Sequence, residues 1–451
     1  MKADKRKKKK SARPGRKPKA RPKLPNLARK LKDVVGHVLP GFAEWLEQLP
    51  DPRDPTRTVY GMRTIVWSAL FLFLFQLRSR RHFRTASDSP AFRANLNRLS
   101  GEQNDAVPHP DTVAGLLTRI PPEEFNRLPA MIVRELQRRR MLERYRLHGY
   151  YLVAVDGTGI FSFHQRHCQH CLTQKKKKGT IYYHKIEEAK LVSPGGLALS
   201  IGSESIENPE EGVTVQDCEL RAFYRMAPKI KEAFPHTKIC LLLDGLYANE
   251  QVFAICKKHH WKYIITFKEG SMPKTFEEYE TLLRLRPENT VETFWEGRKQ
   301  VLRWVTDLAY QRHRLNVLEC KETGDDGGVT RFVWLTNLEV TGKNVTQIAN
   351  EGGRCRWIIE NQGFNVQKNC EFQLEHVFTR HEEAWKTYYS ILQVAHIIFQ
   401  LLYWWRALRE VRQYLTSIYA FARRLLEHFR IRAPEPDGVP PPAFQLRLDT
   451  S

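Results

Sequence analysis

The chain has 451 residues, long enough for two or three domains, and its 41% apolar content is sufficient for real cores. A net charge of +23, with 27% of residues charged, argues for a polyanionic partner. The longest apolar runs, 65–75 and 391–405, fall short of the roughly 18 residues a bilayer span needs, so no membrane role is expected and both read as buried helices.

Residues 1–33 are expected to be a disordered basic arm, because Lys5-Arg-Lys-Lys-Lys-Lys10 and Arg13-Pro-Gly-Arg-Lys-Pro-Lys-Ala-Arg-Pro22 have no apolar periodicity. The first 32 residues hold 16 Lys or Arg against one Asp, which is +15 of the +23 and leaves +8 for the other 419. The arm's target is nucleic acid, either as a non-specific electrostatic contact or, through Gly15-Arg-Lys-Pro18, as a hook in an A·T-rich minor groove. No apolar stretch follows it, so no secretory signal is expected, and the eight cysteines are expected to stay reduced in the cytoplasm.

Residues 34–148 read as helical. Helical character runs over 62–77 and 111–119, with Asp111 as N-cap candidate, and Pro121-Pro-Glu-Glu124 opens a longer Arg-rich helix. From 150 to 268 the expected order is strands at 150–155, 182–192 and 197–203, a helix at 217–233, a strand at 238–243, a helix at 249–258 and a strand at 263–267. Two of these strands end in Asp-Gly: Leu152-Val-Ala-Val-Asp-Gly-Thr-Gly159 and Leu241-Leu-Leu-Asp-Gly245. Asp-Gly alone is most often a turn, yet a carboxylate just past a buried strand is held rigidly and can face a cleft.

Between the two Asp segments, His167-Cys-Gln-His-Cys171 looks like half of a zinc site at Cys168 and Cys171. No second Cys-x-x-Cys exists, so the segment is read first as a basic loop running into Lys175, Lys176, Lys177 and Lys178, a DNA contact. Gln216-Asp-Cys-Glu219 opens a helix, where Glu219 suits a capping role and, as the weaker reading, an extra metal ligand.

Residues 270–345 change to period-two segments at 291–294, 300–308, 315–320 and 330–335, with Asp325-Asp-Gly-Gly328 as a turn: a β meander, read as an insertion. A helical pattern then carries Glu360 in Gly353-Arg-Cys-Arg-Trp-Ile-Ile-Glu-Asn-Gln-Gly-Phe-Asn-Val-Gln-Lys-Asn369. On a regular helix positions 353, 356, 360 and 367 share a sector of about 60°, and Lys368 lies about 80° from Glu360. His376 and His381 follow and read as ordinary surface or core histidines, before a Trp- and Arg-rich helical region to about 432 and a loose proline-rich tail over 433–451.

Asp156, Asp244 and Glu360 stand 88 and 116 residues apart. In this order and on these element types, the stretch from about 151 to about 405 resembles the DDE transposases of prokaryotic insertion sequences, in the insertion-sequence-four-like group. That family's signature is Tyr, two residues, Arg, three residues, Glu, six residues, Lys. Arg356 and Glu360 match it, whereas Gly353 and Gln367 occupy the Tyr and Lys positions.

The resemblance implies an α/β fold: an RNase H-like catalytic core (149–269 and 346–432, the latter with helices after the core), interrupted by an all-β insertion (270–345), with a helical DNA-binding domain in front. It implies that Asp156 bridges two Mg²⁺ ions, with Mn²⁺ as substitute, while Asp244 and Glu360 each hold one. Two ions about 3.5–4 Å apart stabilise the attacking and leaving oxygens of an in-line displacement at phosphorus. The implied activity is cleavage at element ends and strand transfer into target DNA, by a homodimer on terminal inverted repeats, in the cytoplasm and associated with the nucleoid. Arg356 and Lys368 become phosphate contacts, and Trp295 and Trp334 become candidates for stacking on a flipped base, against the plain reading of half-buried strand tryptophans. Two other functions compete: a structure-specific endonuclease on the same fold, and a domesticated, non-catalytic DNA-binding protein.

Overall fold

The computed structural model describes residues 24–324, 326–434 and 446–450. Most of the expected arm, and the proline-rich stretch 435–445, lie outside the described residues. Seven helices come first: α1 (Leu27–Val38), α2 (Phe42–Glu47), α3 (Met62–Leu74), α4 (Arg80–Ala86), α5 (Pro90–Ser100), α6 (Pro110–Leu117) and α7 (Pro122–Arg138). α1 begins inside the segment expected to be disordered through residue 33. The Asn26 side chain caps it, and Leu27, Leu31, Val34, Val35 and Val38 are buried along it. α6 is capped by the His109 ring rather than by Asp111, with Pro110 in the first helical position.

A mixed sheet of eleven strands follows. β1 (Arg146–Leu147) pairs on β2 (Tyr150–Phe163), and β2 runs antiparallel to β4 (Gly179–Val192). On the other edge of β4 lie β3 (Leu172–Lys176), as a hairpin, and β5 (Ala198–Ile206). α8 (Glu219–Ala233) leads to β6 (Ile239–Leu243), parallel to β2, and α9 (Glu250–His259) leads to β7 (Lys262–Thr266), parallel to β6. The segment 270–345, expected to be all β, opens instead with a helix, α10 (Pro273–Leu285), and the expected meander follows as β8 (Thr290–Trp295), β9 (Arg298–Tyr310), β10 (His313–Thr323) and β11 (Val329–Thr336). It is not a separate body. β11 pairs with β7 from Trp334↔Thr266 to Thr336↔Ile264, extending the same sheet and satisfying what would be an open strand edge.

β2 also departs from expectation: it continues to Phe163, so Asp156 lies inside the strand and not past its end. Asp-Gly favours a turn locally, but β4 pairs with β2 from Val153↔Leu191 to Phe163↔Tyr182 and supplies the ladder bonds a turn would forfeit. Residues 345–369 cross the sheet as a helical segment of changing pitch. It runs from α11 (Val345–Gln347) through a π turn (Ile348–Gly352), a 3-10 turn (Gly353–Arg356) and a second π turn (Ile359–Phe364) to α12 (Asn365–Asn369). A constant 100° per residue does not describe it.

The chain finishes with α13 (Ala384–Tyr403), α14 (Arg409–Leu415) and α15 (Ile418–Ile431). α3 and α13 are buried on nearly every side, so each needs cover all round. α13 packs against α3, α7 and β5, and α15 against α1 and α5, so residues 27–145 share one hydrophobic core with the sheet and the C-terminal helices. The helices expected over 34–148 thus pack onto the sheet and the C-terminal helices. Three polar residues that interrupt the apolar run of α13 answer buried groups. Gln393 accepts from Lys190 Nζ at 2.6 Å, His396 Nδ1 meets Gln367 Nε2 at 3.0 Å, and Gln400 bonds both the N–H and the C=O of Ala198 at 2.9 Å.

Residues 446–450, expected to be loose, are docked. Leu448 is buried and bridges Trp405, Asp449 pairs with Arg412 at 2.7 Å, and Thr450 Oγ1 meets Tyr145 Oη at 2.8 Å. No helix among the described residues is long and apolar enough to cross a membrane.

Candidate functional site

The register of β2 and β6 sets the site. Ala154 lies opposite Leu242 in the parallel pair, and Asp156 and Asp244 each follow two residues later, the first still on β2 and the second just past the end of β6. Asp244 leaves β6 directly into a 3-10 turn and caps it, its Oδ1 accepting from the Leu246 amide at 2.8 Å. Glu360 arrives on the segment packed over β2. There Arg356 donates to Glu360 Oε1 at 2.7 Å and reaches Asp156 Oδ2 at 3.4 Å, so one guanidinium ties both carboxylates together. Burial pushes the Asp156 carboxyl up to about 6; Arg356 opposes this, and the charge and hydrogen bonding of Glu360 add to it.

On the opposite face of β2, reached through Gly157, sits a second pair of acids, Glu219, which the sequence singled out, and Glu187, which sequence reasoning missed. Glu187, opposite Gly157 in the ladder, is buried and accepts from Tyr247 Oη. Burial holds its carboxyl well above the usual range, the Tyr247 bond opposing and the Glu219 and Asp156 charges adding. Glu187 Oε2 is buried with no hydrogen-bond partner. Glu219 opens α8 as expected, but it also lies over Gly157, where a Cβ would strike its carboxylate, and pairs with Lys185. The available signal was Lys185-Ile-Glu-Glu-Ala-Lys190, a run of charges inside a strand whose far end is apolar.

Asp156, Asp244 and Glu360 offer only hard oxygen donors. Such a donor set fits Mg²⁺ or Mn²⁺ and suits soft metals poorly.

Other expected site residues are dispersed. Lys368 pairs with Glu375 at 2.9 Å, away from Glu360's own partners. Gln367, at the position of the family's Lys, is fully buried and bonds Gln393 at 2.8 Å, because the π turns rotate it into the core. Trp334 is 4% exposed and stacked on Phe332, so it has no face open to a base and the stacking role expected of it is not supported. It fills the space beside Gly353, where a Cβ would lie 2.5–2.8 Å from the indole. Trp295 is half-buried at the end of β8, next to the exposed Phe294.

Lys175, Lys176, Lys177 and Lys178 are all exposed on the β3–β4 hairpin, not on a loop: the first two end β3 and the last two make its turn. His381 lies just ahead of α13, its Nδ1 accepting from the Ala384 amide at 3.3 Å, and His376 packs its ring edge-on to Phe378. A residue not foreseen is Trp357, 52% exposed, its ring 4.7 Å from the Arg356 guanidinium.

A different cluster forms around the Cys-x-x-Cys. Among the described residues, one group of His, Cys, Asp or Glu has its ligand atoms all within 4.8 Å of one another: His167, Cys168, Cys171 and His184. The acidic trio is not gathered so closely. The Cys168 and Cys171 sulfurs are 3.7 Å apart, and His184 Nε2 lies 3.5 Å from each. His170 is turned away, its Nδ1 meeting the Asn208 carbonyl at 2.9 Å. The second pair that the Cys-x-x-Cys lacked in the sequence is thus one histidine before the first cysteine and one on β4. Neither the protein-family models nor the curated proteins compared with this chain match it.

Proposed function

We propose that the protein is a metal-dependent DNA transposase that cleaves at element ends and joins them to target DNA, on an RNase H-like core. The observation that carries this reading is the placement of the three acids: Asp156 lies on β2, Asp244 lies just past the end of the adjacent parallel β6, and Glu360 is tied to Asp156 through Arg356. The strand order β5, β4, β2, β6, β7, with the first two pairings antiparallel and the others parallel, supports it as the order such a core requires.

Asp156, Asp244 and Glu360 would hold Mg²⁺, which supplies charge neutralisation at the phosphate and a more acidic attacking water. Arg356 keeps Asp156 and Glu360 facing the same point and lowers the cost of their like charges. Trp357 and the lysines of the β3–β4 hairpin are exposed to meet DNA bases and phosphates. Water, then the freed 3′ hydroxyl, is the nucleophile, so no covalent protein intermediate forms. Synapsis of two ends requires at least a dimer on DNA.

The test is incubation of the purified chain with Mg²⁺ or Mn²⁺ and a DNA fragment carrying the inverted repeats that flank its coding region. Nicking, release and insertion of those ends support the proposal. Nicking without joining favours a structure-specific nuclease, and binding without cleavage under either metal overturns both enzyme readings.

A further inference from the structure

The His/Cys cluster has no part in the reaction proposed above. We infer that His167 Nδ1, Cys168 Sγ, Cys171 Sγ and His184 Nε2 bind one Zn²⁺ as a closed, structural centre.

The distances fit. Zinc bonds of about 2.3 Å to sulfur and about 2.0–2.1 Å to nitrogen, arranged tetrahedrally, place two sulfurs about 3.8 Å apart and each sulfur about 3.5 Å from a nitrogen. The corresponding separations here are 3.7 Å and, twice, 3.5 Å.

The orientation fits as well. His167 Nε2 donates to the Arg380 carbonyl at 2.7 Å, which fixes the proton on that nitrogen; Nδ1, buried and without a hydrogen-bond partner, is left as the atom offered to the sulfurs. A carbonyl on the far side of a liganding imidazole is the usual means of holding it to a metal.

The donors are those of zinc, two thiols and two imidazoles, whereas a hard cation takes oxygen. A disulfide between Cys168 and Cys171 would need sulfurs about 2.05 Å apart and would give the two imidazoles nothing to do. Aromatic rings close the site: Phe163 stacks on His167 with centroids 5.0 Å apart, and Trp385 lies 4.9 Å from His184. With four protein ligands and a ring wall, no position is open to substrate, which marks a structural centre.

The need for it is local. Apart from the main core, Leu172, Ile206 and Ala222 form a small cluster of their own at the base of the β3–β4 hairpin, backed by Tyr183. So little apolar burial holds a hairpin weakly, and a metal supplies the missing cross-link. It joins the segment after β2 to β4 and, through Arg380, to the chain entering α13.

The test is the metal content of the full-length chain, purified without a histidine tag and measured by elemental mass spectrometry in the absence of DNA, so that its outcome is separate from that of the transposase reading. One zinc per chain is expected, lost in the Cys168→Ser/Cys171→Ser double variant and kept in His170→Ala. Replacement by Co²⁺ in the native chain should give tetrahedral visible bands with thiolate-to-cobalt charge transfer, a readout that does not depend on any variant folding. A native chain with no zinc, a Cys168–Cys171 disulfide, zinc retained in the double variant, or a cobalt spectrum without thiolate bands would each overturn the assignment.

Discussion

Asp156 is a carboxylate under tension. Burial and Glu360 hold its pKa at about 6, above the ordinary 3.8, so the fold favours the protonated form. That contribution is complete below about pH 4 and is lost as pH rises through about 6. With divalent ions chelated, Asp156→Asn should therefore be more stable than the parent at pH 8, on the order of 2 kcal/mol, with the difference closing near pH 4. Thermal melts across that range check it, and a difference that does not vary with pH would assign the shift to something other than ionisation.

A second residue-level feature is Gly353. Its backbone, at φ −55°, accepts any side chain, so the constraint is space: Trp334 occupies the volume a side chain would need. A Tyr at this position has no room while Trp334 keeps its place. Gly353→Ala should cost about 1–3 kcal/mol by chemical denaturation. Trp334→Leu in the same chain should return much of that; strictly additive losses would show that the two do not share the space.

Among the elements, the β3–β4 hairpin carries four consecutive exposed lysines. Replacing Lys175 to Lys178 with Gln should weaken DNA binding and flatten its salt dependence, the log–log slope falling by about 0.9 for each phosphate no longer neutralised. An unchanged slope would mean the hairpin tip does not touch DNA. This element also shows where a sequence is legible. Apolar period and turn residues were enough to find β4, β5, β6, α8, α9, β7 and the meander, and to set Asp244 at a strand end, because those signals are local. The path of β2 beyond Asp156 was not legible, since the bonds that keep it extended come from a partner strand. His184 was hidden for the same reason: it sits 13 residues from Cys171, and only the hairpin pairing brings the two together. Gln367 was misread because π turns change the face a residue presents, and nothing in the composition of the segment announces them.

At the scale of the molecule, helices from both ends of the chain close over one sheet, so residues 27–145 and α13 to α15 support the same core as the strands bearing Asp156 and Asp244. Boundaries drawn from composition divided what packing joins: α3 and α13 are each too apolar to stand at a surface, and β7 is completed by β11. The sheet and the segment packed on it hold Asp156, Asp244 and Glu360, which come from widely separated parts of the chain, on one rigid support. The most direct test is the cleavage and joining assay on inverted-repeat DNA with Mg²⁺, run on the parent chain and on Asp156→Asn, Asp244→Asn and Glu360→Gln, with DNA binding measured in parallel. The parent is expected to cut and join, and each variant to fall to background while still binding DNA. Cleavage at the parent rate in any of the three would refute the assignment of these acids to the reaction.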